Sequence, residues 1–265
     1  MPKAKQIKLP QKNYQRPILP EYLENQLTDA VQAFEHRGKW KEWGLDKIRE
    51  QGVAILLHGP PGTGKTMTAY YLSKRLHLGI REISIADYGS QVPGQLARNI
   101  KQIFNGELIA SQQDGKHEPV IFLDECDSML VSRNKLGHDM MWMLEPINSL
   151  LNCISMYPGL VILSTNLVPL LDEALERRLI ASILIPRPDK EVRRKIWAIK
   201  WPDKFPCQIT KEQLNKLAIY PLSGAEIENV FLLWAGSCMR REIVPRVEDL
   251  LTQLDEEYSD AELAI

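Results

Sequence analysis

VAILLHGPPGTGKTMTAYYLSKRLHL, residues Val53 to Leu78, places three patterns in succession. Val53 to His58 is an apolar run without alternation, as expected of a strand covered on both faces in a parallel sheet. Met67 to Leu78 has helical spacing. Between them, Gly59 to Thr66 fit G-x-x-x-x-G-K-[ST], a loop whose successive N–H groups point inward at one anion. Gly62 and Gly64 allow backbone dihedrals that a side chain forbids. Lys65 brings a point charge to the β- and γ-phosphates of a nucleotide, and the Thr66 hydroxyl is a ligand for Mg²⁺. Strand, loop and helix together put the helix N-terminus against the phosphates. The expected nucleotide-binding set is therefore Gly59, Pro60, Pro61, Gly62, Thr63, Gly64, Lys65, Thr66 and Met67. His58 reads as a packed or satisfied side chain.

Working outward, strands are expected at Glu82–Ile85, Val120–Asp124, Leu160–Ser164 and Ser182–Pro186, with helical patterns between them. This alternation of apolar strands and helices predicts an α/β fold with a mostly parallel, doubly wound sheet. Upstream, residues 21–51 predict one long helix and a shorter one. Beyond Pro186-Arg187-Pro188 the pattern is helical only, ending in an acidic stretch. The expected organisation is a flexible basic arm at 1–20, a nucleotide-binding core at 21–186, and a helical lid with an acidic tail at 187–265.

The 265 residues are 44% apolar and 25% charged, which suits a globular chain able to bury a core. A formal net charge of −1 argues against a nucleic-acid surface spread over the whole molecule. Cys126, Cys153, Cys207 and Cys238 lie far apart, outside zinc-site spacings, and read as reduced thiols of a cytoplasmic protein. No apolar run reaches bilayer-spanning length, and the first residues carry no signal-peptide core.

A second constellation accompanies the phosphate loop. VIFLDECD places Asp124 and Glu125 at the C-terminal tip of an apolar strand, the edge where ligands sit in open α/β sheets. Asp124 is expected to hold Mg²⁺, directly or through water, and Glu125 to act as general base on the attacking water. LVILSTN ends another strand on Asn166, whose amide both donates and accepts and so can orient water beside the γ-phosphate. LDEALERRL offers Arg177 and Arg178 at a short helix end, suited to reach a neighbouring subunit's nucleotide as an arginine finger.

Taken in order, GPPGTGKT, FLDECD, LSTN, LDEALERRL, PRPDKEVRRKIW and LSGAEIENV resemble the AAA+ ATPases, and within them the AAA branch, over residues 22–241. The resemblance implies a P-loop NTPase with a parallel five-stranded αβα core and a small C-terminal helical lid. It implies ATP and Mg²⁺ as cofactors and a homo-oligomeric ring, a hexamer by preference, with nucleotide between subunits. Lys65, Thr66, Asp124, Glu125 and Asn166 would then act in cis, and Arg177 and Arg178 in trans. Gly224 and Ala225 would be lid contacts near the nucleotide, on a helix that Ser223 caps.

The pattern departs from polypeptide-threading members at one place. Where their first pore loop carries an aromatic residue two positions before a glycine, YGSQVPG has Val92 before Gly94, with Tyr88 upstream. The leading expectation is an Mg-ATPase that remodels protein assemblies through an unidentified substrate or adaptor. The alternatives are a nucleotide-controlled assembly scaffold with slow hydrolysis and a DNA-directed AAA+ regulator. Lys3, Lys5, Lys8, Lys12 and Arg16 make nucleic acid conceivable as a partner of the arm, but a solubilising tail is the favoured reading. The acidic end around Asp255 to Glu262 reads as a solvated helix face.

Overall fold

Five parallel strands form one sheet: β1 (Val53–His58), β2 (Ile80–Ser84), β3 (Val120–Asp124), β4 (Leu160–Thr165) and β5 (Leu179–Leu184), in the spatial order β2-β3-β4-β1-β5. β1 pairs with β4 on one side and β5 on the other, and β3 bridges β4 to β2. The computed structural model describes residues 16–40, 42–45, 53–84, 94–114, 117–130, 143–167 and 173–262.

The helices follow from which faces of the strands are apolar. Along β1, Val53, Ile55 and Leu57 point to one side, Ala54 and Leu56 to the other, and all are buried. The first side is covered by α1 (Glu21–Glu35) and α2 (Lys65–Arg75), through Leu23, Leu27, Val31, Phe34, Ala69 and Leu72. The second is covered by α3 (Gln95–Asp114) and α4 (Leu144–Met156), through Leu96, Ile100, Phe104, Ile147, Leu150 and Ile154. Helices on both faces explain why the central strands are apolar without alternation. Each fully buried aliphatic or Phe side chain contributes roughly 1.5–3 kcal/mol.

The expectations for β1 and β3 coincide with the observed spans, and β4 runs one residue further. The two edge strands are displaced. β2 begins at Ile80 rather than Glu82, and β5 covers Leu179–Leu184 rather than 182–186. An edge strand buries only part of its length, so its apolar run is a poor guide to its ends. Of the stretch expected to hold a shorter second helix, the described residues show a 3₁₀ turn at Arg37–Lys39, and residues 46–52 lie outside the described residues.

After the short α5 (Glu173–Glu176) and β5, the chain is helical: α6 (Lys190–Lys200), α7 (Lys211–Leu217), α8 (Gly224–Arg241) and α9 (Val247–Glu262). These helices build their own core around Trp197, Trp201, Leu217, Ile227, Phe231 and Trp234. Val247, Leu250 and Leu254 of α9 are buried in it, so the helix that carries the acidic end also packs. Three of the four helices are capped by side chains. Asp189 accepts from the Val192 N–H, and Thr210 and Ser223 form capping boxes with Gln213 and Glu226. The Ser223 backbone N–H and Arg187 hold the Glu226 carboxyl below its usual range.

Where β1 ends, the chain turns at Gly59, whose φ is +141°. A Cβ there would lie 2.2 Å from the carbonyl oxygen of Ile185, a backbone atom. Gly59→Ala is therefore expected to lose at least about 2 kcal/mol of stability, combining strained dihedrals with a backbone overlap. Urea unfolding measures this. A change within about 0.5 kcal/mol, the range of ordinary surface substitutions, would contradict the packing described.

Candidate functional site

The loop from Gly59 to Gly64 leaves the C-terminal tip of β1, between β4 and β5. Gly59, Gly62 and Gly64 have φ of +141°, +73° and +98°, and Gly64 stands at the N-terminus of α2. The Gly59 N–H reaches the Thr165 carbonyl at 3.3 Å, tying the loop to β4. Lys65 is buried, and its Nζ donates to the Gly59 and Pro60 carbonyls at 2.8 Å each. Two of three ammonium donors are thus used inside the loop. Burial lowers the Lys65 pKa, while the Asp124 and Asp127 charges oppose that shift.

The opposite wall comes from β3. Thr66 Oγ1 donates to Asp124 Oδ2 at 2.8 Å across 58 residues of sequence. Asp124 Oδ1 accepts from the Glu125 N–H at 3.1 Å and from the Ser164 hydroxyl. Glu125 lies just past the strand with φ +53° and an exposed side chain, a conformation that costs a non-glycine residue of order 1–3 kcal/mol. Asn166 follows β4 and its backbone N–H donates to Asp127 Oδ1 at 3.1 Å. Behind the loop, burial and then the Lys65 charge lower the pKa of His58. The His58 Nδ1 is buried without a hydrogen-bond partner among the described residues, so the residue is packed but not satisfied there at that atom.

A third wall is the start of α8. The Ala225 N–H reaches the Gly62 carbonyl at 3.3 Å, and a Cβ on Gly62 would lie 2.7 Å from Ser223 Oγ. Loop and helical segment are in direct contact. Together these walls enclose a cleft of about 410 Å³, with Val192 and Ile196 of α6 on its apolar side. Arg16–Pro20, read from the sequence as the end of an arm, instead line this cleft. Pro17 is buried, and Arg16 pairs with Glu24 at 2.8 Å.

Of the residues expected from sequence, Pro61 to Met67, Asp124, Glu125, Asn166, Gly224 and Ala225 all line this one cleft. Gly59 and Pro60 do not line it; their carbonyls accept from Lys65 Nζ. Arg177 and Arg178 stand apart and differ from each other. Arg178 donates through Nε to Ser155 Oγ at 2.6 Å and through a terminal nitrogen to the Ala174 carbonyl at 2.5 Å. The Arg177 side chain is 80% exposed and pairs with Glu173 at 3.7 Å. Val92 and Tyr88 lie outside the described residues, as do residues 1–15 of the basic arm. Two residues that sequence reasoning did not single out hold the site together: Ser164, which orients Asp124, and Asp127. FLDECD and LSTN contain them, but their role depends on a contact between strands.

Residues 55–187, just over half of the chain, match the model of the ATPase family associated with various cellular activities (AAA). The chain is 32% identical over 183 residues to an ATPase-like fidgetin of Schizosaccharomyces pombe, covering 64% of this chain and 27% of that protein. It is 30% identical over 217 residues to a vesicle-fusing ATPase of Dictyostelium discoideum, covering 77% and 29% respectively. With a proteasome-activating nucleotidase of Saccharolobus solfataricus it shares 29% identity over 197 residues, 69% of this chain and 48% of the other. The chain thus spans between about a quarter and a half of the length of these relatives. A solved chain from the Escherichia coli MS115-1 HORMA:CdnC:Trip13 complex has the same fold, with a TM-score of 0.69 at 17% identity over 90% of this chain and 89% of that one. Phosphate loop, acidic strand tip and family match coincide within one segment, and the chain belongs to the AAA ATPase family.

Proposed function

We propose that this chain is an Mg²⁺-dependent ATPase that assembles into a ring, a hexamer by preference, with nucleotide at the subunit interfaces, and remodels protein assemblies. The observation that carries the reading is the 2.8 Å contact of Thr66 with Asp124, with Glu125 next to it on the same strand edge. The residues present fit the groups involved. Glycines with positive φ line the loop where phosphates would lie, and a hydroxyl and a carboxylate oxygen sit side by side where a hard cation takes oxygen ligands. Thr66 and Asp124 would hold Mg²⁺, which when bound neutralises charge on the β- and γ-phosphate oxygens.

The chain's own groups then divide the work. Gly59 to Met67 cradle the phosphates, and Lys65 turns its ammonium toward the β- and γ-oxygens. Asn166 orients a water in line with the γ-phosphorus, and Glu125 takes its proton. A water oxygen–phosphorus bond forms, the bond from the γ-phosphorus to the bridging oxygen breaks, and ADP and phosphate leave. Gly224 and Ala225 carry the state of the site into residues 187–265, which act as a lid. Arg177 is the finger offered to the neighbouring subunit. The names of two relatives, a vesicle-fusing ATPase and a proteasome-activating nucleotidase, support work on assemblies rather than on a small substrate. Four free cysteines are in keeping with a cytoplasmic setting.

Lys65→Ala tests the cradle. Loss of a charge-assisted contact to phosphate is expected to weaken ATP binding by about 100-fold or more, measured by titration with a fluorescent ATP analogue. Unchanged affinity would remove the loop from nucleotide binding.

A further inference from the structure

We propose that Asp127 is a positioning residue for hydrolysis, acting through Asn166. The proposal rests on the reading of Asn166 as the residue that orients the attacking water. Asp127 opens a single 3₁₀ turn (Asp127–Met129) directly after the acidic strand tip. That turn is pinned to β4 by the N–H of buried Cys126, which reaches the Ser164 carbonyl at 2.9 Å. One oxygen of Asp127, Oδ1, accepts both the Thr165 hydroxyl and the Asn166 backbone N–H, the latter at 3.1 Å. Thr165 is 1% exposed, and its own hydroxyl oxygen accepts the Leu167 N–H at 3.1 Å. The chain is therefore held on both sides of Asn166: the Thr165 hydroxyl and the Asn166 N–H converge on one carboxylate, and the Leu167 N–H closes on that same hydroxyl.

The neighbouring pair makes the arrangement specific. Ser164, the residue before Thr165, donates to Asp124, and the Glu125 N–H lies 3.4 Å from the same hydroxyl. Two successive hydroxyls of β4 thus bind two acids of FLDECD. The Ser164 latch sets Asp124 and Glu125, and the Thr165 latch sets Asn166. Between them they fix the distance from the group that takes the proton to the amide that holds the water. Asp127 does not line the cleft, so its effect passes through the backbone of Asn166. A misplacement of about 1 Å at such a group costs up to about 100-fold in rate.

The test is a double-mutant cycle on steady-state ATP hydrolysis with Asp127→Ala, Asn166→Ala and both together, with Tm measured for each. Asp127→Ala is expected to lower kcat about tenfold or more and to leave KM for ATP within about twofold. In the Asn166→Ala background it should cost nothing further. Asp127→Asn, which keeps an oxygen able to accept both bonds, should restore at least half of the lost rate. Wild-type kcat in Asp127→Ala, or an equal loss on top of Asn166→Ala, would overturn the proposal. Asn166→Ala turning over at the wild-type rate would instead sink the reading of Asn166 itself. Should Asp127→Ala fail to fold, Thr165→Val removes one half of the same clamp and enters the same cycle, with the same two outcomes.

Discussion

Replacing Arg177 with alanine is expected to cut ATP turnover by about 10³-fold or more while leaving ATP affinity unchanged. Arg177 is 80% exposed and does not line its own cleft, so it is not placed to contact nucleotide bound in cis. A planar guanidinium is suited to phosphoryl oxygens because it offers paired donors and stays charged. Its ion pair with Glu173, exposed on both sides, is worth little and yields easily to a better partner. Arg178 sits differently. Its bonds to Ser155 and Ala174 fasten α5 to α4, and α4 packs against the sheet. Arg178→Ala is therefore expected to lower Tm, whereas Arg177→Ala is not. Steady-state kinetics with thermal melts on both variants separate the two roles. Full turnover in Arg177→Ala would take the finger away from this residue.

Glu125→Gln is expected to keep ATP bound and to slow hydrolysis by about 10²–10⁴-fold, the usual worth of a positioned general base. Glutamine has the same length and shape, so the backbone at φ +53° and the bond from the Glu125 N–H to Asp124 stay as they are. What is lost is the capacity to take a proton. Because the site stays assembled, the variant should hold ATP for far longer than wild type and should favour the assembled ring. Single-turnover hydrolysis and retention of labelled ATP measure both effects. Turnover near the wild-type rate would exclude Glu125 from proton transfer.

What could be read from sequence followed from where the physics is local. The P-loop is legible because its glycines and lysine are needed at fixed spacing. β1 and β3 were delimited, and β4 nearly so, because burial on both faces makes every residue apolar. The edge strands β2 and β5 bury less and were misplaced by a few residues. Asp124, Glu125 and Asn166 announce themselves at strand tips. Asp127 and Ser164 do not, since their partners lie 39 and 40 residues away and only the β3–β4 pairing brings them together. Arg16–Pro20 offered no periodicity, and their place against the cleft is set by tertiary packing. The difference between Arg177 and Arg178 is likewise invisible in LERRL, because it depends on Ser155 of another helix.

The proposed site is shared, with Glu125 from one subunit and Arg177 from the next. Mixing Glu125→Gln subunits with Arg177→Ala subunits tests it directly, since neither is expected to turn over appreciably alone. At equal amounts, random assembly places an intact Glu125 opposite an intact Arg177 at roughly a quarter of the interfaces of a closed ring. ATP hydrolysis should therefore reappear on mixing and peak near equal proportions. A mixture no faster than the sum of its parts, under conditions where the subunits co-assemble, would contradict the shared site.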